Sequence, residues 1–206
     1  MAGLLFVVSA ASGTGKTSLV KALLDRISNL HVSVSHTTRP QRVGEVDGVH
    51  YHFIAKDDFV QQINEGRFIE YAEVFGNYYG TSHAKVQEQL NKGHDVLLEI
   101  DWQGAEQVRR LFPQSIQIFI LPPSQFELRQ RLSNRKTDSL EVIEHRLSCA
   151  VADMQHYTSF DYVVINDAFD KAVSELYSII TCHRLTINQQ SAKHETLINS
   201  LLTGTV

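Results

Sequence analysis

The sequence predicts an α/β protein with a parallel sheet covered by helices on both faces. Short, mostly apolar runs at Leu4–Val8, Val96–Ile100, Ile116–Leu121 and Tyr162–Ile165 read as strands of a buried sheet. The segments between them carry apolar residues at helical spacing. Strands alternating with helices in this way form parallel sheets through right-handed crossovers, and such sheets bind ligands at the carboxyl ends of their strands.

The first strand leads into Ser9-Ala10-Ala11-Ser12-Gly13-Thr14-Gly15-Lys16-Thr17-Ser18. A helix follows, with Leu19, Val20, Leu23, Leu24 and Ile27 on one face and Lys21, Asp25 and Arg26 on the other. Strand, glycine-rich loop and a helix opening with Lys-Thr make a phosphate-binding loop in its required setting. Successive backbone N–H groups and the helix N-terminus form a concave anion site. Lys16 then reaches the β- and γ-phosphates of a nucleotide, and the Thr17 hydroxyl faces Mg²⁺. The motif departs from its pattern once, with Ala10 where a first glycine is usual. An alanine forced to positive φ there would cost about 1–2 kcal/mol.

Next, His31–Ser35 alternates and predicts a second strand, leading into a polar loop with Arg39 and Arg42. Asp47-Gly48 between Glu45-Val46 and Val49–Phe53 predicts a hairpin. Lys56–Asn64 reads as a helix with Phe59, Val60 and Ile63 inward, Phe68–Phe75 as a strand, and Gly76-Asn77-Tyr78-Tyr79-Gly80 as an aromatic turn. Residues 35–80 therefore form a small β-rich lobe interrupting the α/β rhythm. Beyond it come a helix over Ser82–Lys92, a strand over Val96–Asp101 and a helix over Gln103–Phe112 ended by Pro113. The strand Ile116–Leu121 is stopped by Pro122-Pro123, and Ser124-Gln125-Phe126-Glu127 is a capping box opening a helix through Arg135. A polar segment over 134–139, expected to be mobile, precedes a second helix through Arg146 to about His156. Tyr162–Ile165 is expected as the last central strand and Lys171–Leu185 as the closing helix. The tail, 186–206, is polar and then weakly amphipathic at Leu197, Ile198, Leu201 and Leu202, so it either packs on a neighbouring copy in a homo-oligomer, packs on the parent domain, or frays.

The totals restrict the function. A chain of 206 residues with 43% hydrophobic and 20% charged residues can bury one good core. The net charge of −4 and the lack of a basic run argue against nucleic acid as the main partner. No apolar run approaches a membrane span, and there is no signal layout, so no membrane association is expected. Cys149 and Cys182 have no metal or redox spacing, which suits a reducing, cytoplasmic setting. His50 and His52 share one strand face but bring no further ligand, and read as hairpin surface residues rather than a metal site.

Asp101 ends an apolar strand, the usual place for a carboxylate that handles Mg²⁺ or orients an arginine, with Glu99 two residues earlier on the same face. A buried structural ion pair is the alternative for either acid. Arg39, Arg42 and Arg135 lie in loops, where a solvated helix face does not explain them, while Arg109, Arg110 and Arg129 fit such a face. Positioned guanidinium groups are what phosphoryl transfer needs, because charge builds on equatorial oxygens.

Together these stretches resemble the guanylate kinases. The resemblance rests on Ser-Gly-Thr-Gly-Lys-Thr at 12–17, Ser-x-x-x-Arg-x-x-Arg at 35–42 and Gly-Glu-Val-Asp-Gly-Val-His-Tyr-x-Phe at 44–53. It continues with Phe-Ile-Glu-Tyr-Ala at 68–72, Gly-Asn-Tyr-Tyr-Gly-Thr at 76–81, Glu-Ile-Asp-x-Gln-Gly at 99–104 and Arg-Leu-x-x-Arg at 131–135. The phosphate loop is common to many NTPases; the 35–81 set is far more particular. The resemblance implies a single P-loop NTPase-like domain: a core (1–34, 82–123 and 157–185), an inserted β-rich GMP-binding lobe (35–81), a helical lid (124–156) and the tail. It implies transfer of the γ-phosphoryl of ATP, with Mg²⁺, to GMP and dGMP, giving ADP and GDP or dGDP.

By the same resemblance, Ala10, Ala11, Ser12, Gly13, Thr14, Gly15, Lys16 and Thr17 hold ATP, with Thr17 on Mg²⁺ and Glu99 or Asp101 as a further metal residue. Ser35, Arg39, Arg42, Tyr51 and Tyr79 match the positions that hold the GMP phosphate. Glu70 and Thr81 match those that read guanine, with Asp101 nearby, and Arg135 and Arg146 match the lid arginines. Lys16, Arg39, Arg135 and Arg146 are expected to serve the transition state. The alternative is a catalytically silent guanylate-kinase-like module that binds proteins; the intact Lys16 and Thr17 count against it.

Overall fold

The computed structural model describes residues 2–74, 76–133 and 140–204. In chain order the elements are β1 (Leu5–Ala10), α1 (Lys16–Leu24), β2 (Leu30–Val32), β3 (His36–Thr37), β4 (His52–Phe53), α2 (Lys56–Asn64), β5 (Phe68–Val74) and β6 (Asn77–Ser82). They continue with α3 (His83–Asn91), β7 (Asp95–Glu99), α4 (Trp102–Leu111), β8 (Ile116–Leu121), α5 (Gln125–Ser133) and α6 (Leu140–Met154). A 3-10 turn over Gln155–Ser159 leads to β9 (Tyr162–Ile165), α7 (Phe169–Arg184), α8 (Ile187–Lys193) and α9 (Glu195–Thr203).

The main sheet has the order β2-β7-β1-β8-β9 with every pairing parallel. Its central strand is β1, whose residues alternate between two fully buried faces. Phe6 and Val8 pack with Leu19, Leu23, Leu176 and Ile180 of α1 and α7, while Leu5 and Val7 pack with Val86, Leu90 and Val108 of α3 and α4. This double burial explains why the strand is an unbroken apolar run. A third cluster joins Ala11 to Leu128, Leu132, Ile143 and Ala150, so α5 and α6 seat directly on the loop after β1.

The second sheet, β4-β3-β6-β5, is small and mixed. Phe59 of α2 is fully buried against it, stacked on Phe68 at 4.5 Å and on Tyr78 at 5.4 Å. Ile69 of β5 joins the α3–α4 cluster and fixes this sheet to the core.

Several expectations need correction. Residues 45–53 form no hairpin: β4 pairs in parallel with β3, and Asp47 and Tyr51 make only an isolated bridge. Val43, Val46 and Val49 are exposed, so no buried face rewards a ladder there. Residues 77–80 belong to strand β6 rather than to a turn. Gly80 marks packing: a Cβ there would lie 2.9 Å from the Phe59 ring and 3.1 Å from Phe68. The second strand stops at Val32, and β9 lies at the sheet edge rather than in its centre, with Tyr162, Val163 and Ile165 partly exposed. Arg109, expected on a solvated face, clamps Asp161 at 2.8 Å and donates to the Ser115 carbonyl at 2.8 Å. The tail is helical as α8 and α9. The polar segment 134–139 lies outside the described residues.

Candidate active site

The loop from Ala10 to Lys16 leaves the end of the central strand and enters α1. Gly13 and Gly15 have φ of 89° and 93°, and both are closely approached. A Cβ on Gly13 would lie 2.9 Å from Leu132, and one on Gly15 would lie 2.7 Å from Asn166 Nδ2. Both therefore need glycine for conformation and for space. Ala10 does not: it ends β1 in register with Ile120, and Asn29 is the only described non-glycine residue with positive φ. The missing first glycine thus introduces no backbone strain.

The loop is pinned from behind. Thr14 is buried with its hydroxyl donating to the Ala11 carbonyl at 2.9 Å, so its side chain faces inward. The Thr14 carbonyl accepts from Asn166 Nδ2 at 2.6 Å and from Arg131 Nη1 at 3.3 Å, and Arg131 Nη2 donates to the Asn166 carbonyl at 3.1 Å. Neither Arg131 nor Asn166 was assigned a site role from sequence. Their available signals were the arginine of Arg-Leu-x-x-Arg and a polar residue directly after a strand.

Lys16 is half-buried, and its Nζ donates to the Ile100 carbonyl at 2.9 Å. Burial lowers the ammonium pKa, while the nearby Glu99, Asp101 and Glu70 carboxylates oppose that shift. The Thr17 hydroxyl donates to the Glu99 carboxylate. Asp101 is placed differently: it accepts from the Gly104 amide at 2.8 Å and caps α4. Of the two acids, Glu99 is the one that touches Thr17.

Across the cleft, Glu70 of β5 is only 3% exposed. It accepts from the Thr81 hydroxyl at 2.5 Å, and Thr81 in turn lies 3.2 Å from the Ser35 hydroxyl. Burial pushes the Glu70 carboxyl up to about 7, helped by the neighbouring Asp101 charge and opposed by the Thr81 hydrogen bond and Lys16. A buried carboxyl aimed into a cleft with a raised pKa is a strong candidate for recognising a donor pair on a ligand.

Arg39 Nη2 pairs with Glu45 at 2.7 Å, and Nη1 donates to the Pro40 carbonyl at 2.8 Å. Its guanidinium lies 5.6 Å from the Tyr51 ring and 5.8 Å from Phe53. Glu45 also accepts from the Arg42 amide at 2.8 Å, so one carboxylate orders the whole arginine loop. Tyr51 and Tyr79 meet edge to face at 5.8 Å.

A cleft of about 770 Å³ is lined by the whole loop from Ala10 to Thr17, by Ser35, Tyr51, Glu70 and Tyr79, and by Glu99, Asp101 and Arg146. An adjoining cavity of about 410 Å³ is lined by Arg39, Arg42, Tyr79 and Arg146, so the two share Tyr79 and Arg146. Thr81 stands behind Glu70 and does not line the cleft. Arg135 lies outside the described residues. Trp102 and Asp153, which were given no role from sequence, also line the cleft, with Trp102 Nε1 donating to Asp153 at 3.1 Å.

Comparison of the whole chain with known proteins points to a family. The family model for guanylate kinase matches residues 3–183. A guanylate kinase of Acinetobacter baylyi is 71% identical over 203 residues, covering 98% of each chain. One of Psychrobacter arcticus is 57% identical over 206 residues, covering 100% of this chain and 99% of its own. The crystal structure of guanylate kinase from Anaplasma phagocytophilum is similar with a TM-score of 0.76 and 32% identity, covering 90% of this chain and 88% of that one. With a family match over most of its length and relatives this similar from end to end, the chain belongs to the guanylate kinase family.

Proposed function

We propose that this chain transfers the γ-phosphoryl group of ATP to GMP, giving ADP and GDP, with dGMP as a second acceptor. The observation that carries the reading is that the phosphate loop with Lys16, the buried Glu70 and Ser35 line one cleft, with Thr81 bonded to Glu70 behind it. Glu70 can accept from the N1–H and N2–H₂ of guanine, while Thr81 would donate to O6 only on turning its one hydroxyl proton away from Glu70. Adenine has no such donor pair and would leave the buried carboxylate unpaired.

Ser35, Arg39, Arg42, Tyr51 and Tyr79 would hold the GMP phosphate. Arg39 is already oriented by Glu45 and by the two aromatic rings, so little ordering is left for binding to supply. A phosphate with a second pKa near 6 is largely dianionic at pH 7, so the acceptor needs no general base. The chain's task is positioning and charge neutralisation. Lys16 would reach the β- and γ-phosphates, and Arg146, at the junction of both cavities, would meet the transferred group together with Arg135.

The Thr17 hydroxyl and Glu99 carboxylate, in contact at the cleft floor, are oxygen donors suited to a hard cation. They would hold Mg²⁺ directly or through water, and its charge would offset that of the ATP phosphates. Asp101 is committed to capping α4, so its role would be near the base rather than on the metal. On this reading the second sheet with its arginine loop is the GMP-binding lobe, and α5 with α6 is the lid.

The test is ADP formation from ATP·Mg²⁺ with GMP, dGMP, AMP, CMP and UMP, beside Lys16→Met. Turnover is expected with GMP and dGMP, and the substitution is expected to lower kcat by about 10²-fold or more, as for other lost charge-stabilising groups. GMP binding without turnover would favour a silent binding module. Preference for AMP or a pyrimidine would overturn the roles of Glu70 and Thr81.

A further inference from the structure

Gly104 stands in the first turn of α4, buried, with an ordinary negative φ. Glycine inside a helix costs about 1 kcal/mol relative to alanine. Nothing in the backbone conformation requires it here, so the reason must lie in space. A Cβ at this position would come 2.6 Å from Glu70 Oε2 and 3.2 Å from Glu70 Cδ, with Ile100 Cδ1 at 3.3 Å. The atoms that would have to move are the ends of side chains, and the nearest is the carboxylate itself. That carboxylate is held on its other oxygen by Thr81 at 2.5 Å, and Thr81 lies 3.2 Å from Ser35. Gly104 itself donates its amide to Asp101, so the helix turn beneath Glu70 is fixed.

We propose that Gly104 is a specificity-determining residue: its bare Cα leaves the space in which Glu70 lies with both oxygens placed to accept from the two guanine donors. The proposal rests on the reading of Glu70 as the guanine acceptor. Any side chain at 104 displaces one oxygen by roughly an ångström, enough to spoil a paired hydrogen bond that needs donor–acceptor distances near 2.9 Å. The helix, by contrast, accepts alanine readily. Gly104 is therefore a positioning residue that acts through Glu70 and touches no phosphate.

The experiment is steady-state kinetics of Gly104→Ala with GMP and with IMP, which keeps N1–H and lacks the 2-amino group, beside thermal melting and Glu70→Gln. The expected result is a KM for GMP raised tenfold or more, a KM for ATP within twofold of wild type and an unchanged or higher Tm. The GMP-to-IMP ratio of kcat/KM should fall at least fivefold. A merely structural role would instead lower Tm and move both substrates alike. A folded variant with wild-type GMP kinetics and selectivity overturns the proposal. If Glu70→Gln also leaves them untouched, the guanine reading itself falls; if it weakens GMP while Gly104→Ala does not, only the role of Gly104 falls. Should Gly104→Ala fail to fold, the double variant with Glu70→Ala must restore folding, because it removes the carboxylate in the way. A double variant that stays unfolded overturns the proposal.

Discussion

At Glu70 the chain buries a carboxyl group whose pKa has risen from 4.5 to about 7 because burial disfavours its charge. The folded protein therefore holds this proton more tightly than the unfolded chain does. Between pH 4.5 and 7 the native state binds more protons, so this group's contribution to stability falls as pH rises through that window. The interval corresponds to about 3 kcal/mol at roughly 1.4 kcal/mol per pH unit. Glu70→Gln removes the ionisation, so it should gain stability relative to wild type by about that amount between pH 4 and pH 8. Paired thermal melts at the two pH values check this, and parallel curves would show that Glu70 does not titrate in that range. Part of this site was legible from sequence: Glu70, Thr81, Ser35 and the loop glycines stand in spaced motifs, each beside its own strand or helix. Arg131 and Asn166 were not, because their role is to meet the Thr14 carbonyl from two distant parts of the chain. Gly104 was legible as a motif letter only; its reason appears once Glu70 is packed beside it.

Among elements, segments with a clear apolar pattern follow their expected bounds, and β3, β4 and β6 of the small sheet do not. α2, β8 and β9 match the expected bounds, since apolar patterns report burial on an element's own residues, although Val60, expected inward on α2, is exposed. β3, β4 and β6 depend on partners far away in sequence, and local turn chemistry at Asp47-Gly48 pointed to a hairpin that the parallel β3–β4 pairing replaces. The join between α4 and the turn after α6 is a further long-range contact. Trp102, the chain's one tryptophan, stacks on His156 with ring centroids 3.4 Å apart and planes 7° apart. It also donates to Asp153, anchoring the far end of α6 beside the cleft. Such a ring pair contributes about 1 kcal/mol beyond its buried area. His156→Ala should lower Tm by roughly 2–4 °C for a chain of this size. It should also shift Trp102 emission to longer wavelength as one indole face opens to water. An unchanged emission maximum would mean that the stack does not shield the indole.

For the whole molecule, the question is what ties the chain's two ends to the sheet. Asp95, 6% exposed at the start of β7, accepts from the Leu4 amide at 2.7 Å and from Arg184 Nε at 2.7 Å. Arg184, in the last turn of α7, also donates to the carbonyls of Ser28 and Asn29 at 3.0 and 3.3 Å. One carboxylate therefore joins the approach to β1, the strand β7, the entry to β2 and the end of α7. Beyond this knot the chain contributes little: α8 and α9 have no buried residue, and Leu197, Leu201 and Leu202 are exposed. Gln190 donates to the Arg184 carbonyl at 2.9 Å and the Thr186 hydroxyl to the His183 carbonyl at 3.1 Å, contacts with α7 that water can replace. Removing one partner of a buried pair leaves the other uncompensated, so Asp95→Ala should destabilise by about 3 kcal/mol. Deleting residues 186–206 should cost about 1 kcal/mol, the scale of one or two exposed hydrogen bonds. Denaturant unfolding of the two variants beside the full chain separates these effects. A deletion as damaging as Asp95→Ala would mean that α8 and α9 are part of the stable unit, and a concentration-dependent loss would locate their burial in contacts between copies.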